Sequence, residues 1–384
     1  MKCEEKTGGK RKMIVMYIRL DNFMAFKNFH MNTSYPKKIV DSYIEEEFLE
    51  GYPNFRYKKV NILMGANATG KTSIGKMLMK IFNFLDKRQF ERVTDVICDT
   101  SKEASFTLDL VVGKNLLYRI EANISPKSEE EYQVSDIDLI VKQIEIGKKD
   151  SYESCLKRME NLKFEKCNTY IEELEKVKGL SWIFEYPKDA VNKRKMYDLQ
   201  DTQKYMSILE HTLKALDPAI KEVKKIEDVE DAYVIRMENG SVIIQDGKMV
   251  DSDKLSSGTK AGIDIAAFLD SIMNGNYGFY YCDEKFSYIH SDIEKAFLAV
   301  MIQGLDRNDQ LFFTTHNMDI LDMPLPKHSF YFLRKDPYDK EEPIKCINAS
   351  QYLKRNTDSV RNAVDNDLFT VAPNVELIYE LAEM

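Results

Sequence analysis

The sequence predicts an α/β protein: a mixed central sheet around a glycine-rich loop, an antiparallel β subdomain, and a helical segment inserted between them. Three observations predict it. An apolar run, Val60-Asn61-Ile62-Leu63-Met64, leads through Gly65-Ala66-Asn67-Ala68-Thr69-Gly70-Lys71-Thr72 into Ser73-Ile74-Gly75-Lys76-Met77. That order is strand, glycine loop, helix, the context such a loop needs. A second apolar run, Gly278-Phe279-Tyr280-Tyr281-Cys282, ends in Asp283-Glu284. Third, alternation with period two over 105–112 gives way to helical spacing over 151–226.

Taken in order, residues 1–12 are polar and read as a flexible end. Residues 14–20 form a first strand, followed by Asn22-Phe23-Met24-Ala25-Phe26 and a strand-like stretch near 29–33. The segment 36–57, with Glu45-Glu46-Glu47, reads as a short helix or loop. The strand and helix around the glycine loop run to about residue 85. Residues 105–112 and 117–122 flank Gly113-Lys114-Asn115, a hairpin signal, and 137–146 closes the β-rich part.

From 151 the character changes. Leu156, Met159, Leu162, Cys167, Tyr170, Ile171, Leu174 and Val177 recur at helical spacing. A second helix follows over 203–216, after a break near Pro187. This reads as an inserted helical arm or subdomain; the alternative is that the helices simply pack on the core. Asn239-Gly240 between apolar runs signals another hairpin. The chain is α/β again to about 335, and the tail carries a helix over 348–365. The expected division is a flexible N-terminus (1–12), a first lobe (13–150), a helical insert (151–230) and a second lobe (231–384).

Composition bounds the function. The 384 residues carry 55 Lys and Arg against 63 Asp and Glu, a net charge of −8, with an isoelectric point near 5.4. Non-specific affinity for nucleic acid comes chiefly from phosphate neutralisation, so the overall charge argues for no such partner. The first ninety or so residues are basic, which leaves room for a local nucleic-acid face. The six cysteines form no CxxC pair and read as thiols in a reducing compartment. The charged start is not followed by an apolar signal region, and no run approaches the roughly 18 residues of a membrane span. The expectation is a cytoplasmic protein without a membrane partner.

The motifs carry the chemistry. Backbone N–H groups of the loop from Gly65 to Thr72, with Ser73 opening the helix, can wrap a phosphate at the positive end of the helix. Lys71 would reach the β- and γ-phosphates and the Thr72 hydroxyl would bind Mg²⁺. Asp283 would stand beside that metal, and Glu284 beside an attacking water. Leu311-Phe312-Phe313-Thr314-Thr315-His316 is a further strand, ending in a histidine where ligands bind in open α/β sheets. His316 can donate to a γ-phosphate; the bland reading is a strand-end histidine satisfied by backbone. Leu255-Ser256-Ser257-Gly258-Thr259-Lys260 precedes a helix, and hydroxyls with a glycine there suit an anion. Asp251-Ser252-Asp253 and Asp365-Asn366-Asp367 could bind metal but read first as solvated loop acids.

Together these residues resemble the ATP-binding-cassette (ABC) ATPases, in the soluble branch of structural-maintenance-of-chromosomes (SMC) heads and RecF-like proteins. The resemblance rests on Ile18-Arg19-Leu20-Asp21-Asn22-Phe23 through Phe26, the glycine loop, residues 255–260 as signature, Asp283-Glu284 and Thr315-His316. Ile289-His290 looks like the D-loop, with Ser291 where relatives often carry proline. The usual signature is Leu-Ser-Gly-Gly-Gln, from which Ser257 and Thr259 depart. The Q-loop is open between Gln89 and Gln143. The resemblance covers roughly 14–150 and 231–384.

It implies an ATP- and Mg²⁺-dependent ATPase in which Ser256, Ser257 and Gly258 of one subunit cap the γ-phosphate held by another. That arrangement is a head-to-tail homodimer around two ATPs, or a higher assembly built from it. Within the branch, the chain is most similar to stand-alone ATPases of bacterial anti-phage systems: the overcoming-lysogenisation-defect class and the ATPase subunits of PARIS and Septu. That likeness implies a sensor controlling a separate TOPRIM or HNH nuclease. The chain after His316 is too short for a TOPRIM domain, and its five histidines make no HNH cluster. The alternatives are a DNA-clamping repair or chromosome ATPase, a transporter ATPase subunit, and a scaffold that binds ATP with little turnover.

Overall fold

The computed structural model describes residues 12–39, 42–186, 202–229, 232–245, 248–250, 252–355, 357–369 and 376–381. The expectations for residues 1–11, Pro187 and Asp251 fall outside them.

The chain opens with strands β1 (Met13–Asp21) and β2 (Phe29–Asn32), then a small hairpin, β3 (Phe48–Leu49) and β4 (Tyr52–Arg56). The hairpin occupies part of the segment expected to be helix or loop, and turns at Gly51, whose φ of 82° suits a residue without Cβ. Strand β5 (Val60–Met64) feeds helix α1 (Lys71–Lys87), and a single turn, α2 (Glu91–Thr94), follows. Strands β6 (Ala104–Val112), β7 (Leu116–Ile124) and β8 (Ile137–Glu145) form a meander. With β1 and β2 they make a five-stranded antiparallel sheet, ordered β2-β1-β6-β7-β8.

The segment 151–177 is not one long helix. It holds α3 (Tyr152–Glu160), capped by Ser151, and α4 (Tyr170–Glu175), capped by Thr169. The side chain of Thr169 accepts from Glu172 N and so starts a new helix, which breaks the periodicity. Tyr152, Cys155 and Met159 pack against Ile14, Met16, Val111 and Leu117 of the antiparallel sheet. Then comes β9 (Trp182–Glu185), which runs parallel to a strand of the central sheet.

Helix α5 (Thr202–Leu216) precedes a four-stranded antiparallel sheet of β10 (Ile220–Lys225), β11 (Ala232–Met237), β12 (Gly240–Gln245) and β13 (Lys248–Val250). The hairpin at Asn239-Gly240 joins β11 to β12 in register. Next come α6 (Ser257–Met273), β14 (Phe279–Asp283), α7 (Ser291–Gly304), β15 (Gln310–Thr314), β16 (Phe330–Lys335) and β17 (Ile344–Asn348). The described chain ends in α8 (Val360–Asp365) and α9 (Glu376–Glu380). The helix expected over 348–365 is absent: Asn348 caps one short turn, and Ser359 caps α8.

The central sheet is ordered β17-β16-β5-β15-β14-β9, parallel except for β17. Its inner strands β5, β15 and β14 are buried on both faces, as a covered parallel sheet requires, while the edge strands β9 and β17 are partly exposed. On β14, Phe279 and Tyr281 join α1 and the antiparallel sheet in one core. Tyr280 and Cys282 point the other way, into a core with Ile265, Phe268 and Leu269 of α6 and Leu298 and Met301 of α7. The fold is therefore mixed α/β, with the expected central sheet and antiparallel part.

Candidate functional site

Three neighbouring parallel strands, β5, β15 and β14, deliver the site, because parallel strands end on the same side. β5 ends at Met64 and the loop from Gly65 to Gly70 turns into α1. Gly70 caps the helix at φ 103°, and a Cβ there would meet the Phe26 ring at 3.1 Å. Gly75 lets α1 lie against β14: a Cβ on it would sit 2.5 Å from Tyr281 Cε1. The Tyr281 hydroxyl donates to the Lys71 carbonyl at 2.8 Å, pinning the start of α1 to β14.

Lys71 is 3% exposed. Its Nζ donates to Gly65 O at 2.8 Å and Ala66 O at 3.1 Å, and stands 3.4 Å from Glu284 Oε1. Burial lowers its pKa, and the charge of Glu284 opposes that. Thr69 is buried and donates to Ala66 O; Asn67 and Ala68 are exposed at the tip, and Thr72 and Ser73 are half-buried.

Asp283 and Glu284 diverge. Asp283 is fully buried and its Oδ1 accepts from Thr314 Oγ1 at 2.7 Å. Burial raises its pKa, while the hydroxyls of Thr314 and Thr72 favour the ionised form. Its Oδ2 is buried without a hydrogen bond of ordinary geometry. An unpartnered carboxylate oxygen beside a threonine hydroxyl is a donor set suited to Mg²⁺. Glu284 has φ 44°, a left-handed conformation that costs a non-glycine residue on the order of 1–3 kcal/mol. Its N–H donates to Thr314 O and Thr314 Oγ1, which hold the turn. The carboxylate swings toward Lys71 and His316, whose Nε2 is 2.8 Å from Glu284 Oε1. The His316 contact, then the charges of His316 and Lys71, hold the Glu284 pKa below the usual carboxylate range against its burial.

His316 is positioned from both sides. Thr315 Oγ1 donates to Glu294 Oε1 at 2.7 Å, and Asn317 Nδ2 donates to Glu294 Oε2 at 2.8 Å. Glu294 is a buried carboxylate of α7, raised in pKa by burial and moderated by those two bonds. A cavity of about 310 Å³ opens beside Glu284 and His316, lined also by Ser287, Ile289 and Asn317.

Ser256 and Ser257 are exposed and Gly258 is half-buried, at the start of α6. Ser256 Oγ accepts from Thr259 N at 3.1 Å, an N-cap. A Cβ on Gly258 would come 3.1 Å from Tyr288 O, so the turn at Ser256–Gly258 abuts the loop that follows Glu284. Among the described residues, neither serine makes a hydrogen bond or ion pair to the loop from Gly65 to Thr72. The chain thus brings Lys71, Thr72, Asp283, Glu284 and His316 together, and leaves Ser256–Gly258 facing outward elsewhere.

Neither glutamine considered for the Q-loop is among these groups. Gln89 follows α1 and accepts from Arg92 Nε, and Gln143 is exposed on β8. The strand beside β14 instead ends at Glu185, in register with Cys282. Glu185, Glu294 and Lys285 escaped the sequence reading, since none lies in a recognisable pattern.

No family model and no curated protein matches the chain. Solved structures resemble it over most of their length. One is an SMC head bound to the C-terminal winged-helix domain of ScpA, at TM-score 0.49 and 12% identity, covering 88% of this chain and 99% of that one. Another is the SMC head domain from Thermotoga maritima, at TM-score 0.43 and 12% identity, covering 87% and 98%. The recombination mediator RecF with ATP, from the RecFOR pathway, gives TM-score 0.36 and 11% identity, covering 81% and 94%. Among the described residues no helix is long and apolar enough to cross a membrane.

Proposed function

We propose that this chain binds Mg²⁺-ATP and hydrolyses it as a switch, in a head-to-tail dimer whose sites each draw on two copies. The observation that carries the reading is the convergence of Lys71, Asp283, Glu284 and His316, from three parallel strands, at the mouth of a glycine loop that opens a helix. In it, Lys71 exchanges its bonds to Gly65 and Ala66 for phosphate oxygens. Thr72 and Asp283 would hold a magnesium ion, which would supply charge neutralisation for the phosphates. Glu284, kept ionised, orients and deprotonates water, and His316 donates to the γ-phosphate. Ser256, Ser257 and Gly258 face outward and cap the γ-phosphate held by the partner. ATP then stabilises the closed dimer only until hydrolysis, which is switching by differential binding.

The similarity to stand-alone anti-phage ATPases supplies the biological reading: an ATP-gated sensor in antiviral defence that controls a separately encoded nuclease. An adjacent TOPRIM or HNH gene supports it, and an adjacent permease gene contradicts it. The DNA-clamping alternative requires ATP-dependent, salt-sensitive DNA binding, against the net negative charge.

The test is a pair of variants. Lys71→Ala abolishes ATP binding. Glu284→Gln keeps binding, loses turnover and accumulates as an ATP-bound dimer. A Glu284→Gln protein with parental turnover contradicts the assignment of the base.

A further inference from the structure

The residue after Glu284 is a buried lysine that ties three elements together. Lys285 is 2% exposed. Its Nζ donates to Asp264 Oδ2 at 2.6 Å, Glu185 Oε1 at 2.8 Å and Tyr186 O at 3.0 Å. Three donors meet three acceptors, so the ammonium is satisfied. Burial pulls its pKa down, and Glu185 and Asp264 raise it above the usual lysine range, which keeps the cation charged. Asp264 lies on α6, in the second turn after the signature serines; Glu185 ends β9, the edge strand beside β14.

Most of the remaining contact between α6 and the central sheet is apolar: Ile265, Phe268, Leu269 and Ile272 against the face of β14 and its neighbours. A second hydrogen bond, from the Tyr280 hydroxyl to Ser271 O at 3.1 Å, lies at the far end of α6 from Ser256 and Ser257. Apolar contact is non-directional and tolerates sliding; a charge-assisted hydrogen bond fixes distance and direction. The directional tie from the first half of α6 to the turn at Glu284 therefore runs through Lys285, one peptide bond from Glu284.

We propose that Lys285 is a positioning residue that couples the two halves of the site within one chain. The signature at the start of α6 serves the partner's nucleotide, while Glu284 serves the chain's own. Lys285 makes a shift of one a shift of the other. This rests on the ATPase reading above.

The experiment compares the parental protein with Lys285→Met, Lys285→Arg and Asp264→Asn in steady-state ATP hydrolysis, in nucleotide binding to a Ser257→Arg background, and in ATP-driven dimerisation of a Glu284→Gln background. Lys285→Met is expected to bind nucleotide within about twofold of parental while kcat falls about tenfold or more and dimerisation weakens. Lys285→Arg, which keeps the charge, restores turnover over Lys285→Met. Asp264 is 43% exposed at its side chain, so Asp264→Asn folds even where Lys285→Met does not. It is expected to lower kcat several-fold at unchanged affinity. Parental kcat in Lys285→Met or Asp264→Asn overturns the inference. So does loss of nucleotide affinity in step with kcat, the mark of a merely structural role. A parental protein that neither binds nor hydrolyses ATP overturns the ATPase reading and this inference with it; an active parent beside unimpaired variants overturns this inference alone.

Discussion

At the residue scale, Asp283 and Glu284 are adjacent in sequence and opposite in electrostatics. Burial raises Asp283, and the His316 contact lowers Glu284. Folded Asp283 therefore binds its proton more tightly than unfolded Asp283. The nucleotide-free protein loses stability as pH rises from the ordinary carboxylate range through that raised value. Asp283→Asn keeps an acceptor for Thr314 and removes the buried charge. It is expected to raise neutral-pH stability in thermal melts without nucleotide, and to remove magnesium-dependent ATP binding. A lower melting temperature for the variant at neutral pH contradicts this. The side chains that can be read from sequence are those in contiguous patterns: the glycine loop, Asp283-Glu284 at a strand end, His316 at the next. Lys285 could not be read, because its acceptors Glu185 and Asp264 lie 100 and 21 residues away. Glu294 was hidden for the same reason, 21 residues from Thr315.

At the scale of elements, α1 reaches β14 only because Gly75 has no side chain. Gly75→Ala improves helix propensity by roughly 1 kcal/mol yet places a methyl group on the fully buried Tyr281 ring. Overpacking outweighs propensity, so a net loss of about 1–2 kcal/mol is expected in chemical denaturation. A raised ATP KM should accompany it, since Tyr281 anchors the Lys71 carbonyl. Unchanged stability contradicts the packing argument. Helix α7 acts on the site through Glu294: Glu294→Ala removes one bond from each flank of His316 and is expected to lower kcat about tenfold with ATP affinity unchanged. Parental kcat in that variant removes Glu294 from the account. Strands with sustained alternation or an Asn-Gly turn were legible, whereas the helical spacing over 151–177 was split by the Thr169 cap into two short helices. Strand β9 was not legible: four residues are too short for a period, and they follow a stretch with helical spacing. The single helix expected over 348–365 failed because Asn348 and Ser359 each cap a separate short element, a local competition that apolar spacing does not register.

At the scale of the whole molecule, one sheet gathers the loop, the two carboxylates and the histidine, while Ser256 and Ser257 stand exposed at the start of another helix. In the proposed reading, one chain holds two half-sites and turnover is a property of a pair of chains. Mixing two inactive variants tests this most directly. Lys71→Ala lacks a working phosphate loop and keeps its signature; Ser257→Arg keeps the loop and blocks the signature. Each alone should be inactive, Ser257→Arg while still binding nucleotide as a monomer. Mixed, their heterodimers contain one site built from the intact loop of one chain and the intact signature of the other, so ATP hydrolysis should return. A mixture that stays inactive, or a Ser257→Arg protein that hydrolyses ATP alone at the parental rate, would contradict the account.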